Sequence, residues 1–247
     1  MKTPLKILFL TLAGGLAASA QAQYYYYSVD NLFATILDND FNGYQNTLTV
    51  SGGAGSITDV NLTLNVSAGF NGDLYAFVSH NHTMAVLLNR VGRGSGSNVG
   101  YSDAGFGPDG ASNAFTFDDQ AGHDVHLYRT VSYTLNGSRQ LTGLWQPDGR
   151  ALDPEAAAGL FDTAPRPSLM SAFNGTDPNG DWTLFMADVS PGGESTLVSW
   201  GLQLTVVPEP GVGALLAGGL AWALLRSRTP RFADKHLSSG APVKVLV

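Results

Sequence analysis

Ser56 to Ala68 reads SITDVNLTLNVSA. Val60, Leu62, Leu64 and Val66 alternate with Asn61, Thr63, Asn65 and Ser67. A period of two is that of a strand with one buried and one polar face. Val198, Trp200, Leu202, Leu204 and Val206 repeat the pattern near the other end of the chain. Trp182, Leu184 and Met186 alternate with Thr183, Phe185 and Ala187, which predicts burial on both faces. Further strands are predicted at Thr47 to Ser51, Asp73 to Ser79, Met84 to Arg90, Ala114 to Phe117 and Val125 to Tyr128.

Turn chemistry separates these runs. Asn42-Gly43, Asn71-Gly72, Asp109-Gly110, Asn136-Gly137, Asp148-Gly149 and Asn179-Gly180 all favour positive φ. One helix is predicted, Asp153 to Phe161, with Asp153 as N-cap, Pro154 in the first turn and Gly159 ending it. The glycine-rich stretch from Gly92 to Ser112 has no apolar periodicity and reads as a long surface loop. Many short strands with turns between them predict an all-β jelly-roll sandwich. No repeat of 20–50 residues is visible, so the chain is not a solenoid or propeller array.

Composition bounds the function. The chain has 247 residues, no cysteine, 13% charged and 44% hydrophobic residues, which excludes a disordered acidic tail and a disulfide-stapled mini-protein. All four lysines, Lys2, Lys6, Lys235 and Lys244, lie near the ends. Residues 23–210 hold six arginines against 16 Asp and 3 Glu, a net charge of −13. That field repels phosphate backbones and anionic lipids, so no nucleic-acid partner is expected, and it favours hard cations.

Both ends read as addresses. Residues 1–22 have the layout of a secretory signal peptide: Lys2 and Lys6, then the apolar run from Ile7 to Ala18. A cleavage site follows at Ala20-Gln21-Ala22, with Ala18-Ser19-Ala20 as an alternative. Near the other end, Val207-Pro208-Glu209-Pro210 precedes an apolar run at 211–225 and then Arg226, Arg228 and Arg231. Fifteen helical residues rise roughly 22 Å, short of the ~30 Å hydrocarbon core, and the arginines place the far end in the cytoplasm. A transient inner-membrane anchor is therefore expected there.

This tripartite tail, at 207–231, resembles the PEP-CTERM sorting signal of Gram-negative bacteria. The resemblance implies recognition by exosortase, an integral-membrane processing enzyme, in exopolysaccharide-producing, biofilm-forming bacteria. Residues 232–247 extend past the basic cluster and remain unassigned.

A second resemblance covers residues 36–206. Ile57-Thr58-Asp59-Val60 leads to Gly72-Asp73-Leu74. Later come Phe173-Asn174-Gly175, Gly180-Asp181-Trp182-Thr183-Leu184, Ala187-Asp188 and Ser199-Trp200-Gly201-Leu202. In order and spacing these are similar to the proprotein-convertase P domain (P/Homo B domain), a jelly-roll β-sandwich usually found after a subtilisin-like catalytic domain. Residues 23–35 precede the match, and residues 1–35 together are not expected to hold that domain with its Asp, His and Ser motifs.

The residues themselves read as structural. Trp182 and Trp200 are expected to fill the core between two sheets. Asp73 is expected to accept hydrogen bonds from turn amides at a strand start. Asp188 is grouped with them as part of the structural core.

Catalytic signals are sparse. No G-x-S-x-G elbow occurs, and without cysteine no thiol nucleophile exists. His80 and His82 lack a third zinc ligand and read as a polar loop edge; His123 and His126 read as surface residues. Asp38-Asn39-Asp40-Phe41-Asn42-Gly43 fits the opening of a calcium loop, which makes Asp38, Asp40 and Asn42 candidate ligands. Its twelfth position is Thr49, where the bidentate Glu of such loops would stand. Asp177, Asn179 and Asp181 form a second oxygen-rich loop. Tyr24 to Tyr27 read as a loose start, an edge-strand contact or a sugar-stacking surface.

The expectation is an exported, non-enzymatic surface or extracellular-matrix protein with a structural or adhesive role. Exosortase would be its processing partner, exopolysaccharide or envelope components its ligands, and calcium its one conceivable cofactor. Alternatives are a P domain acting in trans on a subtilisin-like endopeptidase, and a calcium-dependent carbohydrate-binding module.

Overall fold

A computed structural model describes residues 21–108 and 114–209. Eleven strands are described: β1 (Gln23–Val29), β2 (Ala34–Ile36), β3 (Asp40–Val50), β4 (Ser56–Ala68), β5 (Leu74–His80), β6 (Thr83–Asn89), β7 (Gly105–Phe106), β8 (Thr116–Phe117), β9 (Leu144–Trp145), β10 (Gly180–Asp188) and β11 (Ser195–Val207). They form two sheets. The larger runs β1-β11-β4-β8-β9, with β2 also on β11 and β7 also on β4; the smaller runs β3-β10-β5-β6. The pairings between these strands are antiparallel except β8 with β9. The fold class is all-β, with a core between two sheets.

The alternation of β4 sets the larger sheet. Val60, Leu62, Leu64 and Val66 are buried. Leu62 pairs with Leu202 and Leu64 with Trp200, so the inward residues of β4 and β11 lie side by side. From the other sheet, Trp182, Leu184 and Met186 of β10 face the same core. Trp182 donates its indole N–H to the Pro178 carbonyl (3.1 Å) and Trp200 to Asn46 Oδ1 (2.8 Å). Both rings are therefore buried with their one polar atom satisfied. On the outer side of β10, Phe185 stacks on Phe77 (4.8 Å between centroids) but stays half-buried, so burial on that face is partial.

The tyrosine run is an edge strand. β1 pairs along its whole length with β11, from Gln23 opposite Val206 to Val29 opposite Trp200. Tyr25 and Tyr27 pack on the core, whereas Tyr24 and Tyr26 stand out into solvent.

Four local expectations are corrected. Asn42-Gly43 is not a turn between strands but lies inside β3. Gly43 has φ +59°, and a Cβ there would come within 2.6 Å of the Met186 carbonyl, so glycine is what lets β3 cross β10 beside its irregular register. Val125 to Tyr128 is a 3₁₀ segment rather than a strand, because Asp124 accepts the His126 amide (2.9 Å) and curls the chain. Asp153 to Phe161 is not an α-helix: an Asx turn at Asp153 is followed by one 3₁₀ turn at Ala158–Leu160. Side chains take the carbonyls around it, Arg93 Nη2 on Ala156 (3.0 Å) and Asn89 Nδ2 on Leu152 (3.0 Å), and nine residues are too few to hold a helix against that competition.

The fourth correction concerns the glycine-rich stretch. As far as Pro108 it is packed into the body in part: Gly94, Asp103, Gly105, Phe106 and Gly107 are buried, whereas Ser95, Gly96, Asn98 and Val99 lie on the surface. Gly72 N–H donates to Tyr101 O (2.8 Å) and Asn71 N–H to Asp103 O (3.0 Å). Phe106 is fully buried. The backbones of Gly72 and Gly100 touch: a Cβ on Gly72 would lie 2.7 Å from the Gly100 carbonyl carbon.

Candidate functional site

Among the described residues, polar side chains converge on buried Asp103, which accepts the Tyr128 hydroxyl (2.7 Å) and pairs with Arg129 (2.8 Å), and in two further places. The first of these two is a buried network in the segment between β6 and β10. His126 Nδ1 meets Asp148 Oδ2 at 2.6 Å, and its Nε2 meets the Arg93 carbonyl at 2.9 Å. Arg150 bridges Asp148 (3.2 Å) and Asp124 (2.9 Å), and Arg166 Nε approaches Asp124 (3.5 Å). His126 and Asp148 are 2% and 0% exposed, so the pair lies out of contact with solvent. Burial pushes the Asp124 carboxyl up, and Asp148 adds to the shift while Arg150 opposes it. This arrangement ties together four stretches of chain, at Arg93, Asp124–His126, Asp148–Arg150 and Arg166. It also corrects the surface reading of His126, which is 2% exposed.

His80 is corrected in the same way. It ends β5 at 2% exposure, stacked on Trp182 (4.2 Å between centroids, 4° between planes), with its ring nitrogens 3.0 and 2.8 Å from the Asp181 and Asp177 carbonyls. It is part of the core wall and not a loop edge.

The second convergence is an acidic corner where β5, β6 and β10 meet the loop after β10. Asp73 is buried and lies 3.8 Å from Arg90 Nη2. It was expected to hold turn amides. Instead its carboxylate faces Arg90 and the Ser190 side chain, and its carbonyl receives the Val189 N–H at 2.8 Å. Burial pushes the Asp73 carboxyl up to about 6, with Arg90 and Ser190 opposing the shift and Asp38 adding to it. Asp188, fully buried, is likewise pushed up to about 6 by burial, opposed by the Ser190 amide and raised further by Asp73 and Asp38. A cavity of about 240 Å³, lined by Phe70, Asp73, Gly100, Tyr101, Ser190 and Pro191 among others, opens beside Asp73.

The calcium-loop candidates are dispersed. Asp38 Oδ1 accepts the Gly192 and Gly193 amides (2.9 and 3.2 Å), whereas Asp40 Oδ1 accepts Asn42 N (3.0 Å) and Nδ2 (2.8 Å). Asp38 and Asp40 thus serve different neighbours, and Asn42 presents its amide nitrogen to Asp40. In the second oxygen-rich loop, Asp177 caps Asn179 (2.9 Å), Asn179 pins Gly53 (2.7 Å) and Asp181 takes the Thr49 hydroxyl (2.7 Å). Asp177 thus staples a turn, and Asp181 joins paired residues of β10 and β3. Among the described residues no three His, Asp or Glu side chains form a group able to hold a metal ion by themselves.

On the outer face of the larger sheet, Tyr26, Ser28, Thr63, Gly201 and Gln203 line a shallow groove of about 240 Å³. Tyr24 and Tyr26, 62% and 71% exposed, stand beside it. Of the sorting motif, Val207 ends β11, and Glu209 Oε1 lies 3.4 Å from Ser56 Oγ. Pro208 follows directly. Pro210, the run 211–225, Arg226, Arg228, Arg231 and residues 232–247 lie outside the described residues, as does the signal peptide up to Ala20; Ala22 immediately precedes β1.

Fold and site together define an all-β, two-sheet protein with a polar, buried loop block and an acidic corner. No family model matches the chain, and no curated protein matches it. Two solved structures are similar in part. One is the complex of Aeromonas sobria serine protease with its chaperone: TM-score 0.39, 12% identity, covering 76% of this chain and 28% of that one. The other is the same organism's serine protease alone: TM-score 0.39, 11% identity, covering 75% and 27%. The chain thus spans little more than a quarter of the chains it matches.

Proposed function

We propose that the chain is an exported, non-enzymatic protein of a Gram-negative surface or matrix, sorted by exosortase and serving an adhesive or structural role. The observation that carries this reading is the sequence of the tail: Val207-Pro208-Glu209-Pro210, a short apolar run, then arginines, in a chain that also starts with a signal-peptide pattern. The end of β11 at Val207 supports it, because a sheet finished at that residue loses no strand when the tail is cut after it. The reading implies a transient inner-membrane stage followed by release to the cell surface or medium. Within it the sandwich is a P-domain-like jelly roll. Trp182 and Trp200, from the quoted motifs, fill its core, and Asp73 and Asp188 meet at one corner.

The absence of a nucleophile elbow from the sequence and the sealed His126–Asp148 pair support a non-enzymatic role. The groove beside Tyr24 and Tyr26, with hydroxyl and amide groups on its walls, supports exopolysaccharide as the ligand of an adhesive face. The test is fractionation of the native host with and without exosortase. The wild type should yield a shortened protein outside the inner membrane, and the exosortase deletion a longer, membrane-bound one. The same longer form at the same place in both strains would refute the reading.

A further inference from the structure

The start of β1 carries an inference that rests on the export reading. The signal-peptide pattern places cleavage after Ala20-Gln21-Ala22, which makes Gln23 the first residue of the mature chain. Gln23 is also the first residue of β1, registered opposite Val206 of β11. It is exposed. Residues two apart in a strand share one face, so Gln23 and Tyr25 lie side by side. The Tyr25 ring packs against the core, and its hydroxyl donates to Gln23 Oε1 at 2.5 Å. The two side chains are thus joined at the point where the mature chain would begin.

A glutamine at a free N-terminus carries its own nucleophile. Cleavage turns the Gln23 backbone nitrogen into a primary amine, and an ordinary α-amine titrates at about 8, so part of it is neutral near pH 7. Amine and side-chain amide belong to one residue, so attack closes a lactam ring with no loop to order. We propose that Gln23 is a modification site: once Ala22 is cut away it cyclises to pyroglutamate, with Tyr25 assisting. The amine nitrogen adds to Cδ, the Cδ–Nε2 bond breaks, and that nitrogen leaves as ammonia, taking the proton the amine gives up. No oxidant or further reactant is consumed. Negative charge gathers on Oε1 as the amine adds, and Oε1 is the atom to which the Tyr25 hydroxyl donates. Pairing of β1 with β11 holds the backbone that carries both groups. The product has lost its positive terminal charge. Strand β1, QYYYYSV, then carries no charge from end to end. A lactam also offers no free amine to an aminopeptidase, which suits a protein kept outside the cell.

The test uses the protein as purified from its native host, pulse-labelled and followed over time by mass spectrometry of its N-terminal peptide. The expected peptide starts at Gln23 and is lighter by one ammonia than the unmodified sequence. Stepwise N-terminal degradation should be blocked, and should read from Tyr24 after treatment with pyroglutamyl peptidase. Tyr25→Phe keeps the ring and removes the donor. It should slow the appearance of the lighter peptide about threefold, a modest factor because water takes the hydroxyl's place at an exposed site. Tryptophan fluorescence checks that the variant is folded. A mature chain that starts at Gln23 and keeps its amide would overturn the proposal while leaving export intact, and so would a chain that starts at Gln21. Equal rates in wild type and folded Tyr25→Phe would overturn it as well. A chain that retains Met1 would refute the export reading, and the inference falls with it.

Discussion

The β4–β11 centre of the larger sheet and the segment from Arg90 to Leu169 are both buried, but by different means. In the first, thirteen-residue strands pair along nearly their full length, and every second side chain is apolar. In the second, among the described residues, strands are two residues long and the chain is held by side chains gripping backbone. Gln140 Nε2 donates to Val66 O (2.8 Å), Arg150 Nε to Phe161 O (3.1 Å) and Arg166 Nε to Asp148 O (2.8 Å). The first region is stabilised by area removed from water, which many sequences supply. The second depends on individual polar groups, each of which becomes a buried unpaired group when its partner is lost.

Mutation separates the two modes of burial. Trp200→Ala and Trp182→Ala should each cost about 3–5 kcal/mol, enough to threaten folding of a marginally stable chain. Urea melts measure this, and losses under about 1 kcal/mol at both positions would place the rings outside the core. Asp148→Ala should cost about 3 kcal/mol, because it leaves His126 and Arg150 buried beside a lost partner. Replacing Asp148 and His126 together by apolar residues should recover part of that loss. If the double variant were as unstable as the sum of the singles, a network would be the wrong description.

Smaller effects follow at the acidic corner and the surface. Asp73 and Asp188 hold protons up to about pH 6 when folded, against about 4 for an unfolded aspartate. The folded state thus binds more protons in that window, so stability falls as pH rises from about 4 to 6. Asp188→Asn should flatten the slope; an unchanged slope would mean Asp188 ionises freely. Tyr26→Ala, on an exposed edge, should shift stability by less than about 0.5 kcal/mol. A larger shift would show that β1 contributes more than the edge pairing described.

The same contrast explains what the sequence disclosed. Strand β4 is predicted to the residue, and β5, β6, β10 and β11 to within a few residues, because apolar alternation has a period that composition cannot mimic. Burial of Trp182 and Trp200 followed from the same pattern. The loop block has no period: His126, Asp148 and Arg150 lie at irregular spacings and meet only through the fold. Asp73 and Asp188 were visible as conspicuous residues of quoted motifs, but their proximity depends on β5 pairing with β10. The Asp38–Gly43 motif misled in the opposite way, since a short Asx-rich run suits a turn staple as well as a metal loop.

In the proposed function, processing of the tail falls just past the end of β11. It is tested most directly by mass spectrometry of the mature protein's C-terminus, purified from the medium or cell surface of the native host. The expected C-terminus lies close to Pro208-Glu209-Pro210, with residues from Gly211 onward missing, and the tail is retained when exosortase is deleted. Secreted protein whose C-terminal peptide ends at Val247 would contradict it.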